Sequence, residues 1–408
     1  MKKLASILLT IFTISTISAQ KVQTYELKAE YIYGNILRHN QHLENLVKGP
    51  ITGGELAVEW QTMGEKAWYQ FLGFPKIGVG GVFMNLSNPD TLGNLFAIYP
   101  YLNIPIFKSK HFNLYIKPGA GISYLNKTFK DATAYYPSGE VNLNRSNAAI
   151  GSHLNVYFTG SLNFEVPMAH GLSLTGDCGW NHASNGSVIQ PNSGINMINT
   201  FIGLKYSPNY KDLKTPEKQA LPDIPKRLTT EIIVSGGLRQ LYYKDNRYFP
   251  IGSISIAEFY PLTNFYRMGL GVDAFYDGVF GEVNSSSTAS ENVTKYTRTY
   301  IKSNTLSNKF RAGISWQHEL IMGKLTAGFH FGLYLYNPIK NLEPYSKASQ
   351  APLNKPLIYS YTIDNEDGWL YTRASLKYAL SEHIFASIGL KTHLQKAEFI
   401  EWGLGYRF

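Results

Sequence analysis

A histidine and a serine lie two residues apart, at His182 and Ser184, within a stretch where polar and apolar residues alternate. Residues i and i+2 of an extended strand project from the same face, so these two side chains are neighbours. An imidazole in this position can take the proton of the serine hydroxyl while the serine oxygen attacks an acyl carbonyl. The pair therefore predicts acyl-transfer or hydrolytic chemistry.

A working pair needs a third group that orients the imidazole, and donors that stabilise the oxyanion. Asn196 opens the next predicted strand on the same face, so its amide oxygen can reach across the hairpin and accept the ring N–H of His182. The intervening loop, residues 185–194, contains Asn185 and Gly186. Their amide and backbone groups are the candidates for an oxyanion hole.

The same residues also have a structural interpretation. A His-x-Ser triplet is expected about once by chance in a chain of this length, and a polar side chain near a strand end can extend toward lipid head groups. Trp180, on the same face, is expected to be an interfacial aromatic residue, and Cys178 an unreactive lipid-facing thiol. The spacing alone leaves catalysis and a structural role open.

The elements that would position these residues are two-faced strands. Between residues 153 and 166 the even positions are mainly apolar and the odd positions mainly polar, and the same period recurs over 325–335 and 400–408. No stretch after the N-terminal segment has enough consecutive apolar residues for a membrane helix. Only a closed barrel of strands otherwise satisfies every backbone group inside a bilayer. The pattern predicts an all-β fold, a transmembrane antiparallel β-barrel with an apolar outside.

The composition agrees with a membrane barrel. Aromatic residues make up 14% of the chain and charged residues only 16%, which is typical of barrels with interfacial aromatic girdles. Cys178 is the single cysteine, so no disulfide can form within the chain. The net charge of +9 comes from scattered Lys and Arg, which predicts attraction to anionic lipid head groups rather than nucleic-acid binding. The ten His residues show no metal-ligand spacing, so neither a metal nor a cofactor is expected.

The N-terminus predicts export. Lys2 and Lys3 precede an apolar run that ends before Gln20, and this arrangement is typical of a secretory signal peptide over residues 1–19. The mature chain is then expected to begin near Gln20 and to reach the outer membrane of a bacterium.

The rest of the chain divides into two halves of similar pattern. Residues 208–227 contain four prolines and several lysines without a strand pattern, which predicts an extended periplasmic linker. About eight strands precede it and about eight follow it. We expect two tandem eight-stranded barrels, over 20–207 and 228–408, with one sixteen-stranded barrel as the alternative. Short turns, such as 63–66, are expected on the periplasmic side. The long loops, roughly 38–50, 126–147, 280–306 and 338–367, are expected to face outward.

A longer pattern surrounds the reactive pair. His182 to Gly186 read His-Ala-Ser-Asn-Gly, and Gln190 to Asn196 read Gln-Pro-Asn-Ser-Gly-Ile-Asn. In order and spacing these residues resemble the lipid A 3-O-deacylase family, the PagL-type or acyloxyacyl hydrolase family of outer-membrane β-barrels. The resemblance is strong over this hairpin and looser over the rest of the first half.

The resemblance implies an esterase of the cell outer membrane that removes an ester-linked acyl chain from the 3-position of lipid A in lipopolysaccharide. It implies that His182 is the general base, that Ser184 is the nucleophile and that Asn192 contributes to the oxyanion site. The family has a glutamate where this chain has Asn196. The departure therefore concerns the group that orients the imidazole.

The rival hypothesis is a non-catalytic barrel, a pore or an adhesin, in which the motif is a relic. The second half has strand pattern and long loops but no matching His-x-Ser-Asn segment. Its expected roles are to stabilise the first half, to form a homodimer or to select substrate.

Overall fold

The chain forms two closed antiparallel barrels, each of eight strands. The computed structural model describes part of the chain, namely residues 25–39, 41–212, 215–221, 223–240, 246–281, 299–301, 304–337, 342–344, 370–393 and 396–408. The prediction of tandem barrels is confirmed, and the alternative of one sixteen-stranded barrel is wrong.

The first barrel runs in chain order, and its last strand pairs with its first. Its strands are β1 (Tyr25–Ile36), β2 (Ile51–Gln61), β3 (Lys76–Asn85), β4 (Asn94–Lys108), β5 (Asn113–Leu125), β6 (Leu154–Pro167), β7 (Leu172–Ser184) and β8 (Ile195–Tyr206). Two short helices lie in its connections, α1 (Gln41–Glu44) and α2 (Ala67–Phe71). Neither these nor any other helix in the described ranges has the length and apolar character needed to cross a membrane.

The second barrel repeats this plan and closes between its last strand and β9. Its strands are β9 (Thr229–Arg239), β10 (Phe249–Pro261), β11 (Tyr266–Asp277), β13 (Phe310–Met322), β14 (Leu325–Tyr336), β16 (Leu370–Ala379), β17 (Ile384–His393) and β18 (Lys396–Arg407). The short strands β12 (Thr299–Ile301) and β15 (Leu342–Pro344) pair with each other outside it.

Each strand has one face toward the lumen and one toward the outside, as the alternation predicts. In β1, Leu27 and Tyr31 are exposed on the outside, whereas Lys28 and Glu30 are buried in the lumen. This is the reverse of a soluble protein, because the solvent for the outer face is the hydrocarbon of the bilayer.

Buried ion pairs fill the lumen of the first barrel. The Lys28 ammonium lies 2.9 Å from a carboxylate oxygen of Glu30 and 2.9 Å from one of Glu55. The Lys117 ammonium lies 2.9 Å from Asp177. Equivalent pairs, such as Arg373 with Glu401 at 2.9 Å and Arg267 with Glu319 at 2.5 Å, occupy the second lumen. The side chains of these pairs are almost fully buried, so they fill the lumen where they meet, which disfavours the pore hypothesis.

One predicted turn is longer than expected. The connection that begins at 63–66 runs from residue 62 to residue 75 and contains α2. Its side chains have partners beyond the turn: Trp68 is buried, and Gln70 Oε1 accepts the backbone N–H of Gln219 at 3.2 Å. A tertiary contact to the segment between the barrels, rather than a local turn signal, explains the extra residues.

The domain boundaries stay predictions. The strand β8 ends at Tyr206 and β9 begins at Thr229, which agrees with a connecting segment near 208–227. The predicted signal peptide and most of the predicted loops 280–306 and 338–367 lie outside the described residues.

The charge network yields a stability prediction. Replacing Lys28 with Met leaves Glu30 without the ammonium that it contacts in the lumen. Breaking one partner of a buried ion pair costs about 3–5 kcal/mol, so we expect the free energy of unfolding in detergent micelles to fall by about that amount. Urea titration measures it. The control is Lys110→Met, an exposed lysine in a short turn, and equal stability of the two variants would contradict the structural role of the network.

Candidate active site

The reactive residues lie on the hairpin of β7 and β8, where both strands reach the rim that carries the long loops. His182 is directly opposite Asn196 in the register of this hairpin. Ser184 is the last residue of β7 and lies opposite Val156 of β6. Because these residues share the outward parity of Trp180, the site is on the outer wall of the barrel and not in its lumen.

The three side chains form one continuous hydrogen-bonded line. His182 Nε2 lies 2.8 Å from Ser184 Oγ, and His182 Nδ1 lies 2.8 Å from Asn196 Oδ1. Ser184 is only 6% exposed, although it belongs to the outer face. The structure therefore brings together all three residues that were predicted to do chemistry, in the order Ser184, His182 and Asn196.

Trp180 fixes which end of the Asn196 amide faces the imidazole. The indole N–H of Trp180 lies 3.1 Å from Asn196 Oδ1, and an indole nitrogen can only donate. The amide atom that meets it must therefore be the oxygen. Since the same oxygen is 2.8 Å from His182 Nδ1, the ring proton is on Nδ1, and Nε2 is left as the acceptor for the serine hydroxyl.

Aromatic rings also hold the imidazole from its sides. The rings of Trp180 and His182 are stacked with centroids 5.5 Å apart and planes 16° apart. Phe158 of β6 stacks on His182 as well, at 6.4 Å. On the amide side, Asn196 Nδ2 lies 3.3 Å from Nδ1 of His39. The imidazole is therefore held in one orientation by contacts on two strands beside its own.

Gly194 packs directly against the reactive pair. A Cβ built on it would lie 2.8 Å from Cε1 of His182 and 3.4 Å from Cβ of Ser184. Its φ of +71° is also a conformation that glycine adopts without strain. Its N–H donates to the carbonyl of Ala149 at 3.0 Å, which ties this end of the loop to the connection between β5 and β6.

The predicted oxyanion residues take different positions in the loop 185–194. The side-chain amide of Asn185 donates to Ser152 Oγ at 2.8 Å and to the carbonyl of Ile189 at 2.9 Å, so it holds the loop together and ties it to the connection between β5 and β6. The Cα of Gly186 faces Ile400 of the second barrel. Asn192 Oδ1 accepts the backbone N–H of Asn185 at 3.1 Å, which holds the Asn192 amide beside the residue that follows Ser184.

Within the described residues, no group of three His, Cys, Asp or Glu side chains that could hold a metal lies on this hairpin. The one close group of three possible ligands in the described part of the chain is Glu30, Glu55 and Asp177, in the lumen. The ammonium groups of Lys28 and Lys117 lie among these carboxylates. The two ammonium groups therefore balance the charge of two of the three carboxylates.

Sequence reasoning missed three contributors to the site. Trp180 was interpreted as an interfacial aromatic residue, although its position two residues before His182 on one strand face is a signal for a direct contact. Gly194 precedes β8 in a Ser-Gly pair, which is typical of a left-handed turn. His39 lies in the connection after β1, and only the closure of β1 on β8 brings it near Asn196.

These observations define a membrane β-barrel that carries a hydrolase-type constellation on its outer wall. Comparison with protein families is more specific. The family model described as lipid A 3-O-deacylase (PagL) matches residues 52–205, and the model described as acyloxyacyl hydrolase, C-terminal domain, matches residues 228–348 and 357–408. The chain belongs to this PagL-type family of outer-membrane lipid A deacylases, and the family match extends over both barrels. A search of curated proteins finds no match.

Solved structures give more distant similarities. The outer membrane enzyme PagL is 16% identical, covers 44% of this chain and 98% of its own, and has a TM-score of 0.28. Neisserial surface protein A (NspA) is 9% identical, covers 45% of this chain and 96% of its own, and has a TM-score of 0.27. A mutant porin of Rh. blastica is 9% identical, covers 94% of this chain and 100% of its own, and has a TM-score of 0.16.

The close approach of Gly194 yields a prediction about activity. In Gly194→Ala the new methyl group displaces the His182 ring and strains the backbone. A misplacement of about 1 Å can cost about 10²-fold in rate, so we expect at least that loss of lipid A hydrolysis, measured by mass spectrometry of released fatty acid. Gly139→Ala is the matched control, because Gly139 also has a positive φ, of +85°, but its Cβ would meet no atom within 4 Å. Similar losses in both variants would point to backbone strain alone.

Proposed function

We propose that this protein hydrolyses an ester-linked acyl chain of lipid A by a serine esterase mechanism, with Ser184 as the nucleophile and His182 as the general base. The observation that carries the proposal is the line of hydrogen bonds from Asn196 through His182 to Ser184. Its position on the outer wall supports a substrate that arrives from the membrane. The 3-position of the glucosamine is assigned from the family.

In the first half of the reaction, Ser184 Oγ attacks the ester carbonyl carbon while its proton passes to His182 Nε2. The carbonyl oxygen becomes an oxyanion, for which the Asn192 Nδ2 group is the proposed donor. The carbon–oxygen bond to the sugar then breaks, and the sugar oxygen takes the proton from His182. The acyl chain is left as an ester on Ser184.

Water completes the second half. His182 takes a proton from the water as its oxygen attacks the acyl-Ser184 carbonyl, and the oxyanion forms again in the same place. The bond to Ser184 Oγ breaks, Oγ recovers the proton from His182, and a fatty acid leaves. The original serine proton leaves on the sugar hydroxyl and a proton of the water replaces it on Ser184 Oγ, so both side chains are restored and the cycle consumes one water and no cofactor.

Asn196 can orient the imidazole as a carboxylate would, but it brings no negative charge. A neutral amide does not neutralise the imidazolium that forms in the transition state, so part of the electrostatic stabilisation is absent. In a serine protease triad, replacing the aspartate by asparagine lowers kcat by about 10⁴ because it stabilises the wrong tautomer. The Trp180 N–H avoids that part of the loss here, since it requires the amide oxygen to face His182.

The wall below the site suits an acyl chain. Leu162 of β6, Trp180 of β7 and Ile198 of β8 are 52%, 38% and 42% exposed, respectively. These apolar groups continue from the reactive residues down the barrel exterior. A lipid whose acyl chains lie in the membrane can therefore place an ester near its head group at Ser184 while its chains pack against this wall.

The nucleophile assignment is tested in cells. We expect Ser184→Ala to abolish deacylation, because no oxygen remains to form the acyl-enzyme, and lipid A from the mutant to match that of the parent strain lacking the protein. Mass spectrometry of lipid A from strains with wild type, Ser184→Ala and no protein measures this. Heat-dependent gel mobility confirms that the variant barrels are folded. The esterase proposal fails if all three strains give the same acylation pattern, or if Ser184→Ala deacylates like the wild type.

The role of the Trp180 N–H is tested by a double-mutant cycle with Trp180→Phe and Asn196→Glu. Phe keeps an aromatic ring beside His182 but cannot donate, so the Asn196 amide can rotate and present its NH₂ group. We expect kcat to fall about tenfold or more in the Asn196 background. A carboxylate has two equivalent oxygens and needs no such selection, so we expect the loss in the Asn196→Glu background to be less than about threefold.

The control for this cycle is Trp402→Phe, a lipid-facing tryptophan of β18 in the second barrel, which should leave kcat unchanged. Asn196→Glu alone should be at least as active as the wild type, because the carboxylate adds charge stabilisation. An equal loss of kcat for Trp180→Phe in both backgrounds would show that Trp180 acts only through packing.

A further inference from the structure

We propose that the second barrel is a positioning element for catalysis, which holds the loop 185–194 of the first barrel through Gln240. This inference rests on the proposed esterase function, since it concerns the same loop. It assigns a role to the half of the chain that lacks the reactive motif. The loop is the segment that connects Ser184 at its start to Gly194 beside the reactive pair.

Gln240 makes two hydrogen bonds with the loop. It follows β9, and its backbone N–H donates to the carbonyl of Ser187 at 3.3 Å. Its Oε1 accepts the backbone N–H of Gln190 at 3.0 Å. The residue is only 7% exposed, so water does not readily replace these contacts. Gln240 therefore fixes two points of the loop that lie three residues apart.

The hairpin of β17 and β18 provides further contacts on the same side. Ser187 Oγ donates to the carbonyl of Ala397 at 3.1 Å. A Cβ built on Gly186 would lie 2.5 Å from Cγ1 of Ile400 and 3.3 Å from Cδ1 of Leu390. The glycine therefore allows the loop to approach the second barrel to within contact distance. Polar and apolar contacts together form an interface around residues 186–190.

The opposite side of the loop is held by the first barrel. The N–H groups of Ser193 and Gly194 donate to the carbonyls of Ala148 and Ala149, at 3.5 and 3.0 Å. The loop thus lies between the connection after β5 and the rim of the second barrel. Without the second barrel, its outer half would keep only the contacts that it makes with itself and with the β5–β6 connection.

The contacts of Gln240 affect the proposed reaction through the position of Asn192. Gln190 Oε1 accepts the backbone N–H of Asn192 at 3.1 Å, and Gln240 holds the backbone of the same Gln190. Asn192 is the proposed oxyanion donor, so a displaced Gln190 misplaces the group that stabilises the transition state. Loss of a contact felt only in the transition state lowers kcat rather than raising KM.

A second set of contacts, at the other rim, keeps the two barrels side by side. The rings of Phe71 in α2 and Phe265 before β11 have centroids 3.8 Å apart. The backbone N–H of Gln219, in the segment between the barrels, donates to Gln70 Oε1 at 3.2 Å. The barrels therefore touch at both rims, which places the end of β9 where Gln240 can meet the loop.

The test compares side-chain variants of the full chain in detergent micelles with purified lipid A. Gln240→Ala removes the acceptor for Gln190 N–H, and we expect kcat to fall roughly tenfold, which corresponds to about 1.4 kcal/mol, with KM within about twofold of wild type. Gln240→Glu keeps an oxygen acceptor at the same reach, so it should restore kcat to within about threefold. The rate at which an alkyl fluorophosphonate labels Ser184 should fall in parallel with kcat, because that reaction uses the same oxyanion donors.

Ile400→Ala and Leu404→Ala give a matched pair on one strand. Both are apolar residues on the outer face of β18, but only Ile400 contacts Gly186. We expect a lower kcat for Ile400→Ala and an unchanged kcat for Leu404→Ala. The proposal is overturned if folded Gln240→Ala has the kcat of wild type, if only its KM changes, or if the two β18 variants behave alike. An active Ser184→Ala would instead remove the esterase proposal itself.

Discussion

The requirement that every backbone group be hydrogen-bonded inside a bilayer shapes this whole protein. Strands can meet it only when the sheet closes on itself. Because successive side chains of a strand point to opposite faces, closure directs them alternately to the lumen and to the lipid. The lumen is filled by buried pairs such as Lys117 with Asp177. The outer wall is therefore the surface left for chemistry, and the parity of β7 puts His182 and Ser184 on it. Closure also joins β8 to β1, which brings His39 next to Asn196.

An asparagine at position 196 must be held in one orientation, whereas a carboxylate need not be. A carboxylate accepts from the imidazole through either oxygen, whereas an amide has one end that accepts and one that donates. An asparagine in the orienting position thus needs a neighbour that distinguishes the two ends. Trp180 can do so because its N–H only donates and because it shares a strand face with His182. The charge that a glutamate would bring is absent, but the tautomer that makes Nε2 basic is retained.

Local pattern predicted much of this architecture, and tertiary contacts account for the rest. Period-two alternation predicted the strands and their outward faces. It also placed Asn196 on the same face as His182, so the hairpin of the two strands sufficed to predict that their side chains would meet. The pairing of Trp180 with Asn196 required hydrogen-bond geometry that alternation does not contain. The connection from 62 to 75 was predicted as a short turn, since its contact with Gln219 comes from a distant part of the chain. The meeting of Gln240 with the loop depends on how two barrels lie together, which no local pattern encodes.

The second barrel supports the loop 185–194 and leaves the outer wall below Ser184 open. An esterase that takes its substrate from the membrane needs an open wall below the site, yet its rim loop needs a rigid neighbour. The contacts between the barrels support the rim loop and leave the wall open, because they involve Gln240 and Ala397 at one rim and Phe265 at the other. Between the rims, Trp180 and Ile198 stay 38% and 42% exposed. A neighbour that packed along the full length of β7 and β8 would bury these residues and cover the wall along which the proposed lipid substrate would approach Ser184.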